Sequence, residues 1–112
     1  MQVTPESVLP QLRKGVLEYC VLARLQANPA YGLELANSLS DAGVLAGEGT
    51  LYPLLSRLRR GGWVETTWQP SASGPPRRYY HLTIEGREAL AVFMHTWQGF
   101  TRGVNDVLEG VS

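Results

Sequence analysis

The sequence predicts a mainly α-helical fold that carries one small β-hairpin and ends in a long helix. Three observations predict it. Apolar residues recur at spacings of three and four over residues 8–26, 31–40, 49–62 and 83–110. Trp, Val, Thr and Tyr concentrate in two short runs, residues 63–69 and 78–82, on either side of the turn-forming PSASGPP. The 112 residues are 44% hydrophobic and 18% charged, which suits one packed core in one domain and is too apolar for general disorder.

Taken in order, the first helix spans about residues 8–26. Leu9, Leu12, Val16, Tyr19, Cys20 and Ala23 share one face, and Leu17, Val21 and Leu25 another. A helix apolar on two faces is expected to be buried on two sides, the second by a partner subunit. Asn28-Pro29 stops it, because the residue before proline avoids the α region. The second helix covers about residues 31–40, with Leu33, Leu35, Ala36 and Leu39 available to the core. After the small-residue pairs Ala42-Gly43 and Ala46-Gly47 comes GTLYPLLSRLRRGG, residues 49–62. Thr50 is the expected N-cap, which puts Pro53 in the first turn, where its missing N–H costs little. Leu51, Leu54, Leu55 and Leu58 form the inward stripe, Tyr52, Ser56, Arg57, Arg59 and Arg60 lie off it, and Gly61-Gly62 ends the helix.

The two β-like runs then form a hairpin whose tip, residues 70–76, is expected to be loose. Thr83 caps the last helix, with Glu85 in its first turn complementing the dipole. This helix extends to about Gly110, roughly 40 Å at 1.5 Å per residue. Leu90, Phe93, Trp97, Phe100, Val104, Val107 and Val111 alternate spacings of three and four without a break, and Leu108 lies beside them. Such a heptad seam predicts a dimerisation helix. Gly99 and Gly103 weaken it by up to ~1 kcal/mol each and permit close approach of another backbone or a ligand.

Three helices followed by a hairpin is the winged helix-turn-helix arrangement. It divides the chain into an expected DNA-binding unit, residues 1–82, and a dimerisation helix, residues 83–112. Charge supports the division. Ten basic and ten acidic side chains cancel overall, so a uniformly basic coat is excluded. Residues 50–87, however, hold six arginines (57, 59, 60, 77, 78 and 87) against Glu65 and Glu85, a local net of +4. As plain surface chemistry, these arginines would be a solvated helix end and a protected sheet edge. Their coincidence with the two elements that a winged helix presents to DNA favours nucleic-acid contact. Thr50, Tyr52, Ser56 and Arg57 would then meet phosphate and base edges, and Arg77 and Arg78 the backbone or the minor groove. Trp97 is open to two readings, a packed residue between subunits or a platform for a flat aromatic ligand.

Other function classes find no support. No nucleophile elbow, Gly-rich phosphate loop or paired acid motif is present, so no enzyme is expected. His81, His95 and the single Cys20 do not make a metal site of the usual ligand count, no cofactor is implied, and no disulfide forms within the chain. His81 and His95 are expected at the surface, and Cys20 as an inert thiol inside a helix. No apolar run approaches the ~20 residues of a membrane span. MQVTPESVLPQLRKG does not read as a secretory leader, so a cytoplasmic location without membrane contact is expected.

LRKGVLEYCVLARLQANPAYGLELANSL, GTLYPLLSRLRRGGWVE and GPPRRYYHLTIEGREAL resemble the PadR-type transcriptional regulators over about residues 9–90. The resemblance implies a dimeric winged-helix repressor on an inverted-repeat operator of double-stranded DNA, released by a small effector. Tyr31 and Gly32 match the family's second-helix pair. Thr50, Leu51, Tyr52 and Arg57 match its recognition helix, and Arg77, Arg78 and Tyr79 its wing. The short C-terminal part is similar to the compact multidrug-binding branch, where a tryptophan from each subunit stacks on planar drugs. Trp97 falls at that position, flanked by Phe93 and Phe100, which implies a planar aromatic small molecule as a ligand.

Overall fold

The structure is a computed structural model that describes residues 3–111. Met1 and Gln2, from the stretch read for a leader, and Ser112, from the dimerisation segment, lie outside the described residues.

Thr4 opens α1 (Pro5–Arg13). Its hydroxyl accepts the Ser7 N–H at 3.2 Å while Ser7 Oγ accepts the Thr4 N–H at 3.0 Å, a reciprocal cap with proline in the first turn. The single helix expected over residues 8–26 is in fact two. Gly15 sits at φ +81°, a left-handed conformation that a side chain would oppose, and α2 (Leu17–Ala27) starts afresh beyond it. The break also dissolves the expected two-sided burial. Nothing in α1 is buried, and Leu9, Leu12 and Ala23 are exposed, whereas Leu17, Val21, Leu22 and Leu25 of α2 enter the core.

The chain then makes β1 (Ala30–Tyr31), too short to leave a periodic signal, and turns directly into α3 (Gly32–Asp41). Leu35, Ala36 and Leu39 of α3 are buried, but Leu33 faces solvent rather than the core. In α4 (Glu48–Arg60) the N-cap is Gly47, not Thr50, which is the third helical residue. Glycine is tolerated at an N-cap and Glu48 favours the positive helix end, so the helix starts early. Pro53 therefore lies inside the helix rather than in its first turn, at the loss of one hydrogen bond onto the Gly49 carbonyl.

β2 (Val64–Ser71) and β3 (Gly74–Leu82) pair antiparallel, with Val64 opposite Leu82, Thr66 opposite Tyr80 and Trp68 opposite Arg78. β1 joins the other edge of β3, Ala30 opposite Tyr80 and Tyr31 opposite Tyr79, so the sheet order is β1-β3-β2. The tip expected to be loose is mostly strand. Pro75 and Pro76 suit an extended outer segment, an irregularity falls between Gln69 and Ser71 at Pro70, and only Ala72-Ser73 turns.

α5 (Ile84–Glu109) is capped as expected: Thr83 Oγ1 accepts the Gly86 N–H at 3.0 Å and donates to the Gly62 carbonyl at 2.7 Å. Leu22, Leu35, Leu51 and Leu55 are fully enclosed between α2, α3, α4 and the sheet, each contributing ~1.5–3 kcal/mol by burial. Leu90 is the last side chain of α5 in this core. Beyond it the helix projects, which gives the molecule extents of 55 × 32 × 21 Å.

Candidate nucleic-acid interface

The 3.6-residue period of α4 commits Leu51, Leu54, Leu55 and Leu58 to the core and leaves Thr50, Tyr52, Ser56, Arg57, Arg59 and Arg60 exposed. This corrects one expectation: Leu51 is wholly buried, so its side chain reaches no ligand and its match to the recognition-helix pattern is a packing match. Gly32 is buried as well. A Cβ there would stand 2.7 Å from Tyr52 Cε1 and 2.8 Å from its hydroxyl. The ring of Tyr52 thus seats on the bare backbone where α3 begins, and fixes α4 against α3. Burial, then Glu48 and Tyr80, raise the Tyr52 phenol above its ordinary value, so it stays a neutral hydrogen-bonding group near neutral pH.

Tyr31 ends β1 and sits at the N-cap of α3, its N–H donating to Glu34 Oε1 at 3.1 Å. Its ring meets the cross-strand ring of Tyr79 edge-on at 5.4 Å and 72°. The Arg77 guanidinium lies 4.5 Å from the Tyr31 ring centroid, and that of Arg78 lies 5.0 Å from the centroid of Trp68 across the hairpin. Both arginines are held by aromatic faces, worth ~0.5–1 kcal/mol each at such exposure. Arg78 Nε is buried without a hydrogen-bond partner among the described residues. Arg57, exposed, meets the half-buried Glu18 of α2 at 3.6 Å, a surface pair worth ~0–1 kcal/mol.

A separate aromatic run lies on α5. Tyr19 of α2 stacks on Phe93 at 4.2 Å and 13°, Phe93 on Trp97 at 5.5 Å and 20°, and Phe100 tilts against Trp97 at 6.3 Å. With Trp63 and Thr96 they line an open groove of about 500 Å³. Trp97 is 42% exposed and Phe100 63%.

Together α2, α3 and α4 form a three-helix unit closed by a two-stranded wing, with arginines on the wing root and on the outer face of α4. The model of the transcriptional regulator PadR-like family matches residues 21–92. The chain belongs to that family. A PadR-family regulator from Eggerthella lenta is similar in structure, with 38% identity and a TM-score of 0.83 over 93% of this chain and 91% of that one. A PadR-like regulator from Bacillus cereus is 39% identical, with a TM-score of 0.80 over 88% and 96% of the two chains. A transcriptional regulator of Mycobacterium tuberculosis is 32% identical over 80 residues, 71% of this chain and 74% of that protein.

Within this PadR fold, Tyr31, Tyr79 and Arg77 come together as one cluster, and Gly32 couples it to Tyr52. Thr50, Ser56 and Arg57 share the exposed side of α4, while Trp97 with Phe93 and Phe100 lies apart on α5. Two residues escaped the sequence reading. Trp68, 63% exposed, supports Arg78, and the pairing of two β-like runs was the signal that could have revealed it. Glu18 holds Arg57 from a distant helix, for which sequence carries no signal. His95 is exposed, as expected, but His81 is half-buried, its Nε2 2.7 Å from Thr67 Oγ1. Among the described residues, no group of three or more metal-binding side chains occurs and no helix is long and apolar enough to cross a membrane.

Proposed function

We propose that this PadR-family regulator is a cytoplasmic homodimeric repressor that binds an inverted-repeat operator and is released by a planar hydrophobic compound. Residues 1–82 act as the DNA-binding unit and residues 83–112 as the dimerisation helix. The observation that carries the reading is the apolar stripe of α5. Trp97, Phe100, Val104, Val107 and Leu108 are all exposed along one projecting helix, a patch that soluble monomers seldom leave open, while Val111, expected on the same seam, lies in the turn beyond the Gly110 cap. A two-fold axis across that stripe pairs the two copies, and an operator with matching symmetry then meets two α4 helices at once. In each half, Tyr52, Ser56 and Arg57 face base edges, while Thr50, Tyr31, Arg77, Arg78 and Tyr79 hold the phosphate backbone.

The effector reading rests on the groove beside Trp97. Two indoles brought together by the axis sandwich a flat ring system, with Phe93 and Phe100 as side walls. Sedimentation of the full chain should give a dimer, and a chain ending at Ala89 a monomer or aggregate. Fluorescence anisotropy with DNA from upstream of the protein's own gene should show salt-dependent binding, reversed by a planar dye that quenches Trp97. A well-behaved dimer from the shortened chain refutes the α5 interface. Absence of DNA binding at low salt would favour a protein-interaction module instead.

A further inference from the structure

A second hollow, about 570 Å³, lies between the α1–α2 elbow and α4, and shares no lining residue with the aromatic groove. Its floor is apolar, formed by the buried side chains of Leu17, Leu45 and Leu54. Its rim is basic. Arg13, Lys14 and Arg57 stand around it against one carboxylate, Glu18, which Arg57 already engages at 3.6 Å. Arg13 is pinned across the lip by the bond from its Nε to the Gly43 carbonyl at 3.1 Å. Lys14 has no ion pair among the described residues, and no side chain fills the bend behind it, because Gly15 supplies the left-handed turn.

We infer that this hollow binds an amphipathic organic anion, its aromatic or branched body on the leucine floor and its carboxylate or sulfonate against Lys14 and Arg13. The volume falls in the ~300–1,000 Å³ range of small-molecule sites, and an apolar concavity with convergent charges is the usual form of such sites. A DNA phosphate would use the cations but gain nothing from the floor, which is what favours a small amphiphile. One wall is α4 itself, through Gly49, Thr50, Pro53 and Arg57. An occupant therefore touches Thr50 and Arg57, two of the proposed DNA contacts. On the DNA-binding reading above, ligand and operator oppose one another, each weakening the other by the same factor.

The test uses the full chain without DNA and two fluorescent probes, anilinonaphthalene sulfonate and its uncharged parent phenylnaphthylamine. The α5 groove has no charged lining and takes either probe, whereas the elbow hollow takes the sulfonate. Ala46→Trp, at an exposed lining position, fills the hollow without entering the core. It should weaken the elbow phase of sulfonate binding about tenfold or more, and Lys14→Gln about three- to tenfold, whereas Trp97→Ala removes only the phase that the uncharged probe shares. The uncharged probe should not respond to Lys14→Gln. No saturable sulfonate binding, an affinity indifferent to both elbow variants, or a loss confined to Trp97→Ala overturns the inference. So does a Lys14→Gln variant that loses DNA affinity while binding the sulfonate normally, which would make the elbow a phosphate contact. Because the probes are titrated in the absence of DNA, failure of the DNA-binding reading leaves this outcome legible.

Discussion

Gly32→Ala separates the stability of the helix pair from its use. The new methyl stands 2.7 Å from Tyr52 Cε1, 2.8 Å from its hydroxyl and 3.1 Å from Cζ. Ordinary carbon contacts lie at ~3.5–4.0 Å, so the ring must retreat by about 1 Å. Tyr52 is 43% exposed and has solvent to swing into, so the ring moves and α3 and α4 stay in place. Lost ring contact then costs ~1 kcal/mol, and replacing a helical glycine by alanine returns ~0.5–1 kcal/mol. The two nearly cancel. Thermal melting followed by circular dichroism should shift by only a few degrees, on a scale of ~4–8 °C per kcal/mol for a domain of this size. DNA affinity should fall more, about five- to tenfold by anisotropy at fixed salt, because Tyr52 has left the seat that aims it. A stability loss above ~3 kcal/mol would show that the helices, not the ring, gave way. Unchanged affinity would show that Tyr52 takes no part in the DNA face.

Gly86→Ala offers the contrasting case: its Cβ would lie 2.6 Å from Leu82 Cδ1 and run into the Trp63 carbonyl, which is backbone and cannot swing aside. Overpacking of ~1–3 kcal/mol should lower the melting temperature well beyond the effect of Gly32→Ala. Arg77→Ala should weaken binding across all DNA sequences and reduce the log–log salt slope by about one, whereas Arg57→Ala should relax preference at one base pair by ~1–3 kcal/mol. Trp97→Ala should abolish planar-dye binding while sedimentation still reports a dimer; a packed core would instead lose ~3–5 kcal/mol of dimer stability. Burial raises the Cys20 thiol, so iodoacetamide at mildly alkaline pH should label it more slowly than in the denatured chain. The stability from keeping that thiol neutral persists below its ordinary value and is lost as pH climbs through the raised one.

Long, strongly periodic segments were legible. The leucines of α4, the Thr83 cap and the α5 seam follow from side-chain spacing alone, because helix geometry projects sequence directly onto faces. What escaped was decided by backbone conformation or by partners distant in the chain. Gly15 cuts a continuous apolar pattern in two by a single dihedral. β1 is two residues long and exists only because β3 offers it an edge. Leu51 matches a recognition-helix pattern and still lies in the core, since a motif records which residues recur and not which way they point. The cluster of Tyr31, Tyr79 and Arg77 joins residues over 40 positions apart through strand register, and Gly32 earns its place through the contour of a ring on another helix.

The anchorage of α5 has a mechanical consequence. Its 26 residues form a rod of about 39 Å, yet Gly86 and Leu90 are its only buried residues, and the last grip on the winged domain is the stacked pair of Tyr19 and Phe93. From Phe93 to Glu109 it is a cantilever of roughly 24 Å. A tilt of about 10° at the pivot displaces the far end by roughly 4 Å, and in a symmetric pair both arms add. On the proposed inverted-repeat reading, two α4 helices must match successive major grooves ~34–36 Å apart, so a change of this size would carry them out of step with the duplex. In the proposed dimer the aromatic rungs beside the pivot would serve as a shim: a thin planar body slipped in there would alter the span between the two copies while leaving each winged domain internally unchanged.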